Sequence, residues 1–174
     1  MKQIDKNSPT SADNRRVWAQ IDLNALVNNY LVSRDYIHAH NPNTPAFAVI
    51  KADAYGHGIE PCARALYDCG CRHFAVACVE EGIAIREALS YTDSSDALVL
   101  ILGYTNPECV AVLNRYQLTQ TLFCAEYAKN LHATAKAAGI RLHNATAHNV
   151  STHYFHHKTK TVSEFKKNMI IFAV

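Results

Sequence analysis

The residues with the clearest chemical potential are Lys51, Asp53, Tyr55 and His57, spaced through Lys51-Ala52-Asp53-Ala54-Tyr55-Gly56-His57-Gly58. A lysine amine becomes a nucleophile when it sheds its proton, and apolar surroundings help by penalising the ammonium. The five residues before Lys51, Ala46-Phe47-Ala48-Val49-Ile50, are all apolar. That length and composition fit a strand buried on both faces of a parallel sheet. A lysine where such a strand runs out has its stem among apolar groups and its amine at the mouth of the sheet. There it can form a Schiff base with a carbonyl. The plainer reading is a solvated lysine at a strand end, and position alone does not choose between them.

The elements that must hold Lys51 in place follow from the flanking patterns. Arg16–Ile21 alternates polar and apolar residues and predicts a first strand. Asp22 is placed to cap a helix carrying Leu23, Leu26, Val27, Tyr30 and Leu31 at helical spacing, running to about His40. Asn41-Pro42-Asn43-Thr44-Pro45 breaks it. After the lysine strand, Pro61 suits the first turn of a helix with Ala63, Ala65, Leu66 and Cys69 inward and Gly70 as its stop. Strands are expected at His73–Cys78, Ala97–Leu102 and Leu118–Leu122, with helices at Glu80–Leu89, Pro107–Arg115 and Ala125–Ala138. Ile140–His143 could start a sixth strand. Strand–helix alternation of this kind predicts an α/β fold, a parallel sheet with right-handed crossovers. A doubly wound sheet and a (β/α)8 barrel are both compatible. In a barrel the chemistry sits on the loops after the strands. Lys51, His57, Glu80, Glu81, Tyr104 and Thr105 fall in such loops. For all but Lys51 the default reading is a loop, cap or rim residue.

Whole-chain properties narrow the classes. The chain has 174 residues, 49% hydrophobic and 18% charged, which suits one globular domain with a substantial core. A net charge of +2 gives no strong attraction to nucleic acid or membrane. No apolar run approaches the roughly 20 residues of a membrane span. Met1–Asn14 is polar and lacks the apolar stretch of a signal peptide, so residues 1–15 read as a loose leader. Cys62, Cys69, Cys71, Cys78, Cys109 and Cys124 sit inside apolar helix and strand patterns and read as reduced, buried thiols of a cytosolic protein. Cys69-Gly70-Cys71 has no second pair at metal spacing. His143, His148, His153, His156 and His157 crowd the C-terminal region, and His153 and His157 would share a helix face. Without an acidic or cysteine partner nearby they read as part of a polar tail, and no metal is expected.

The string Lys51–Gly58 resembles the pyridoxal phosphate attachment motif of the alanine racemase family, and Val17–Leu26 (VWAQIDLNAL) resembles the start of that family's barrel. The resemblance implies pyridoxal 5'-phosphate as cofactor, carried by Lys51, with Tyr55 on the cofactor phosphate. It selects the barrel over the doubly wound sheet: a partial TIM-type (β/α)8 barrel of about five to six βα units. It spans roughly Arg16 to Leu142. Where the family has an arginine-bearing strand end, Ala147–Tyr154 does not match. A complete barrel takes roughly 250 residues, and the family adds a β-rich domain whose tyrosine works opposite the lysine across a dimer. The expected organisation is therefore a leader over 1–15, a racemase-like barrel portion over 16–146 and a divergent, weakly ordered tail over 147–174. The implied function is a cytoplasmic isomerase that interconverts L- and D-alanine for the cell wall, with Lys51 exchanging the Cα proton on one face of the substrate. No residue is identified as the second base. The alternative is an inactive, truncated remnant that at most binds pyridoxal phosphate through Lys51. The family's members are homodimers.

Overall fold

A computed structural model of the chain describes residues 19–142, 145–147 and 170–173. Its frame is one sheet of six parallel strands: β1 (Ala46–Val49), β2 (His73–Val76), β3 (Leu98–Ile101), β4 (Leu118–Leu122), β5 (Ala145–Ala147) and β6 (Ile170–Ala173). They lie in the order β5-β4-β3-β2-β1-β6. The first five strands are thus neighbours in chain order, and each connection steps one place the same way. Right-handed crossovers that never reverse put every connecting helix on one face. The packing agrees. Ala48 and Ile50 beside β2's Phe74 and Val76, Val99 and Ile101 on β3, and Leu118 and Leu122 on β4 share a core with the helices. The opposite face gathers only Phe47, Val49, Ala75 and Leu100, with Leu98 and Leu102 beside them. A doubly wound sheet would have helices on both faces, so this is an arc of a (β/α)8 barrel.

The helices are α1 (Leu23–His40), the one-turn α2 (Lys51–Tyr55), α3 (Ile59–Asp68), α4 (Val79–Ala88), α5 (Val110–Arg115), preceded by a 3-10 turn at Pro107–Cys109, and α6 (Ala125–Ala137). Asp22 caps α1 as its type predicts, its Oδ1 accepting from the N–H groups of Asn24 and Ala25 at 2.9 and 3.1 Å. Leu26, Tyr30 and Ile37 are the residues α1 buries.

Two expectations need correction. Of the strand expected at Arg16–Ile21, the described residues Ala19–Ile21 are irregular. β1 is paired on both sides, by β2 and by β6, so it offers no free edge to such a strand. The strand expected to start at Ile140–His143 begins instead at Ala145. Gly139 takes a left-handed φ of 67°, and the Ile140 N–H bonds back to Ala135 O at 2.8 Å. Ile140 therefore still closes the helix in a Schellman-type wrap, and Ile140 and Leu142 pack on the core from there.

The apolar run Met169–Val174 supplies β6, in register with β1 from Ala46↔Ile170 to Val49↔Ala173. The leader 1–15 and the tail histidines His143, His148, His153, His156 and His157 lie outside the described residues. All six cysteines are free, but only Cys62 and Cys71 are buried, and Cys124 is exposed at the start of α6. No helix among the described residues is long and apolar enough to cross a membrane.

Candidate functional site

Lys51 leaves β1 at its C-terminal end, one residue past Ile50, whose N–H extends the ladder to Ala75 O at 3.0 Å. It follows five fully buried residues, Ala46–Ile50, and is itself half-buried. Among the described residues no carboxylate pairs with it. Lys51 thus sits at the C-terminal mouth of the arc.

The chain then does something the motif does not announce. Ala52, Asp53, Ala54 and Tyr55 all take positive φ, between 51° and 55°, and α2 is a left-handed turn. Its bonds are ordinary ones, with Ala54 N–H to Ile50 O and Gly56 N–H to Ala52 O, both 3.0 Å. Left-handed helical backbone costs about 1–2 kcal/mol for each L-residue, so four in a row store roughly 4–8 kcal/mol. Such strain persists only where surrounding contacts over-determine it. Three contacts do so here. Ala54 is fully buried in the core. Asp53 accepts the Ile59 N–H on Oδ1 at 2.7 Å, tying the turn to α3. The Glu81 carboxylate accepts the Ala52 N–H on Oε1 at 2.6 Å and the Ala77 N–H on Oε2 at 2.7 Å. Gly56 and Gly58 continue with φ of 85° and 92°, where glycine is at no disadvantage. His57 folds back, its Nδ1 2.7 Å from Ala54 O. One turn spaces Lys51 and Tyr55 four residues apart, so both lie on the same side of it. Tyr55 is 42% exposed.

The mouths of four strands are linked through this clamp. Glu81 joins Ala52, three residues past β1, to Ala77, the residue after β2. Ala77 O accepts the Gly103 N–H at 3.0 Å, and Gly103 O accepts Gln120 Nε2 from β4 at 2.8 Å. Gly103 is required at that crossing, because a Cβ there would lie 2.3 Å from Ala77 O. Glu80, beside the clamp, is exposed. Hydrogen bonds from its own backbone N–H and from the Cys78 thiol hold its carboxyl below the usual range.

Tyr104 and Thr105 follow β3 as expected, but they serve a different cluster. Tyr104 and Phe123 are exposed and flank Tyr127, with ring centroids 5.1 and 5.7 Å away. The Tyr127 hydroxyl donates to Thr105 O at 2.7 Å, and burial pushes that phenol up to about 12. A cavity of about 670 Å3 lies elsewhere, along α1, lined by Gln20, Asp22, Asn29, Val32 and His57 among others. Lys51 is not part of it. Glu81, expected as no more than a loop, cap or rim residue, and Gln120, which does not stand out in the sequence, carry the geometry of the mouth. A glutamate in the first turn of a helix reads as a response to the helix dipole.

Strands in chain order, helices on one face and a lysine at the end of the first strand define the opening arc of a (β/α) barrel with its site at the C-terminal mouth. The chain belongs to the alanine racemase family: the model for "Alanine racemase, N-terminal domain" matches residues 21–166. It is 44% identical over 114 residues to the alanine racemase of Carboxydothermus hydrogenoformans, covering 66% of this chain and 28% of that protein. It is 37% identical over 126 residues to the alanine racemase of Desulfovibrio desulfuricans, covering 72% and 32%. Among solved structures it is similar to the alanine racemase of Clostridium difficile 630, with a TM-score of 0.56 and 30% identity over 70% of this chain and 31% of that one. The alanine racemase of Bartonella henselae with covalently bound pyridoxal phosphate is similar at a TM-score of 0.59 and 25% identity, covering 73% and 34%. The chain spans less than a third of the length of these two curated relatives.

Proposed function

We propose that this chain carries the lysine-bearing half of the site of a pyridoxal-phosphate-dependent amino-acid racemase, with alanine as the substrate. The observation that carries the reading is Lys51 itself: half-buried at the C-terminal end of a buried strand, free of any carboxylate partner among the described residues, and set in the Lys51–Gly58 motif. The donor set suits an aldehyde-bearing phosphate. A primary amine is available for a Schiff base, and an exposed phenol four residues on can donate to a phosphate oxygen. When bound, the cofactor supplies an electron sink that makes the substrate Cα–H acidic.

Within that setting Lys51 holds the cofactor at the mouth of the sheet. With the cofactor and substrate bound, the Lys51 amine would move a proton to or from Cα on one face. Tyr55 anchors the phosphate end. The turn between them fixes the relative placement of the two backbone positions from which amine and hydroxyl extend. D-alanine supply for the cell wall and a cytoplasmic setting belong to the same reading and rest on the family alone.

The test is to incubate the purified chain with pyridoxal phosphate, reduce with borohydride and locate the adduct by peptide mass spectrometry. A single adduct on Lys51, absent from Lys51→Ala, is expected. A folded wild type that gives no adduct, or a Lys51→Ala variant that traps as much, would refute it.

A further inference from the structure

We propose that Glu81 is the positioning residue of Lys51: its carboxylate holds the left-handed turn in place and so sets the direction in which the lysine leaves β1. The inference rests on the lysine's role proposed above. Glu81 sits at the third residue of α4, counted from the Cys78 cap. A glutamate there ordinarily reaches back to the N–H of its own cap residue. This one passes that N–H by. One oxygen takes the N–H of Ala77, and the other crosses to the N–H of Ala52. Both contacts are short, 2.7 and 2.6 Å, as charge-assisted hydrogen bonds are.

The residue it crosses to is the one next to Lys51 and the first of the four with left-handed φ. If the Ala52 peptide turned to the ordinary helical or extended region, its N–H would leave Glu81, and the direction of the Lys51 side chain would change with the peptide it shares. Neither a helix-dipole role nor a solvated role explains a carboxylate that spends both oxygens on the backbone of two adjacent strand ends. No arginine or lysine among the described residues pairs with it. Each of its oxygens accepts a backbone N–H of the clamp.

The experiment compares wild type, Glu81→Gln, Glu81→Asp and the double variant Ala52→Gly/Glu81→Gln. Two readouts are taken. One is the yield of borohydride-trapped adduct on Lys51 at sub-saturating pyridoxal phosphate. The other is hydrogen exchange of the peptide spanning 46–58, without cofactor. Glutamine keeps one acceptor but turns an amide donor toward an N–H. Glu81→Gln is therefore expected to lower apparent affinity roughly tenfold or more and to speed exchange in 46–58 while α5 and α6 exchange as before. Glycine adopts left-handed backbone freely, so adding Ala52→Gly should restore most of both. A purely structural glutamate would not be rescued by relieving one residue's φ. Unchanged trapping and exchange in Glu81→Gln would overturn the proposal, as would failure of Ala52→Gly to rescue. Should Glu81→Gln not fold, Glu81→Asp, which keeps the charge but cannot span both N–H groups, carries the same comparison. A wild type that traps nothing would sink the cofactor reading instead, and the exchange data would still decide the clamp.

Discussion

Replacing Arg86 with alanine should cost the fold about 3–5 kcal/mol, although no carboxylate pairs with this arginine among the described residues. Arg86 extends from α4 toward the N-terminal ends of the strands. Its guanidinium donates to four backbone carbonyls: Nε to Tyr116 at 3.0 Å, Nη1 to Ser94 at 2.9 Å, and Nη2 to Ala97 and Gln117, each at 2.9 Å. Ser94 and Ala97 lie just before β3, and Tyr116 and Gln117 just before β4. One planar fork thus ties two loops together, and Gln117 keeps a left-handed φ of 49° with its carbonyl bonded to the fork. Hydrogen bonds to a charged group contribute about 1.5–3 kcal/mol each, but four made by one side chain are not additive, and water can reach the half-buried site. Burial pulls the guanidinium below its usual range, yet it stays charged near neutral pH. Arg86→Lys keeps the charge but not the fork and should lose about half as much. Urea unfolding, followed by circular dichroism, gives both values. A loss below about 1 kcal/mol for Arg86→Ala, or a lysine variant equal to wild type, would refute the idea that the carbonyl geometry and not the charge is what matters.

Two further outcomes follow from single residues. His73 stacks near Phe47 at the start of β2, ring centroids 5.1 Å apart, and burial draws its imidazole below the ordinary 6.5. The unfolded chain then binds the proton first, so stability is full above the unfolded value and falls as pH drops through about 6.5 toward the lowered folded value. Thermal melts from pH 7 to 5 should show a steeper loss for wild type than for His73→Gln, and parallel curves would count against it. Gly103→Ala places a methyl 2.3 Å from Ala77 O, so the two strand ends must separate. A loss of about 1–3 kcal/mol in melting experiments is expected, and a neutral result would mean the crossing can relax without cost.

Most of the frame was legible because it rests on patterns read one segment at a time. The apolar run at Ala46 became β1, the Asp22 cap formed, and each helix expected after a strand is present. Two things depended on information outside those segments. Alternation cannot tell an arc from a doubly wound sheet, because the order of strands is a property of the whole sheet. Here the chain-order succession from β1 to β5, with the helices among the described residues on one face, decides it. The expected strands at Arg16–Ile21 and Ile140–His143 had suitable residues, but the described part of the first has no free edge beside β1. The second is still occupied with closing α6.

The site shows the same division more sharply. The place of Lys51 at the end of a buried strand was legible because the apolar run and the charged residue that closes it are both local features. The left-handed turn after it was not, because Ala52, Ala54 and Tyr55 disfavour positive φ and one tolerant aspartate, Asp53, does not announce a run of four. What sustains the turn comes from elsewhere in the chain: a glutamate 29 residues on, an asparate-to-helix bond within the loop at Asp53 and the core that swallows Ala54. A local rule is broken where distant contacts can over-rule it, and those contacts converge on the residue next to Lys51. Strain placed there is useful in a way that strain elsewhere would not be. On the proposal made above, it restricts the backbone from which the Lys51 side chain departs before any ligand arrives.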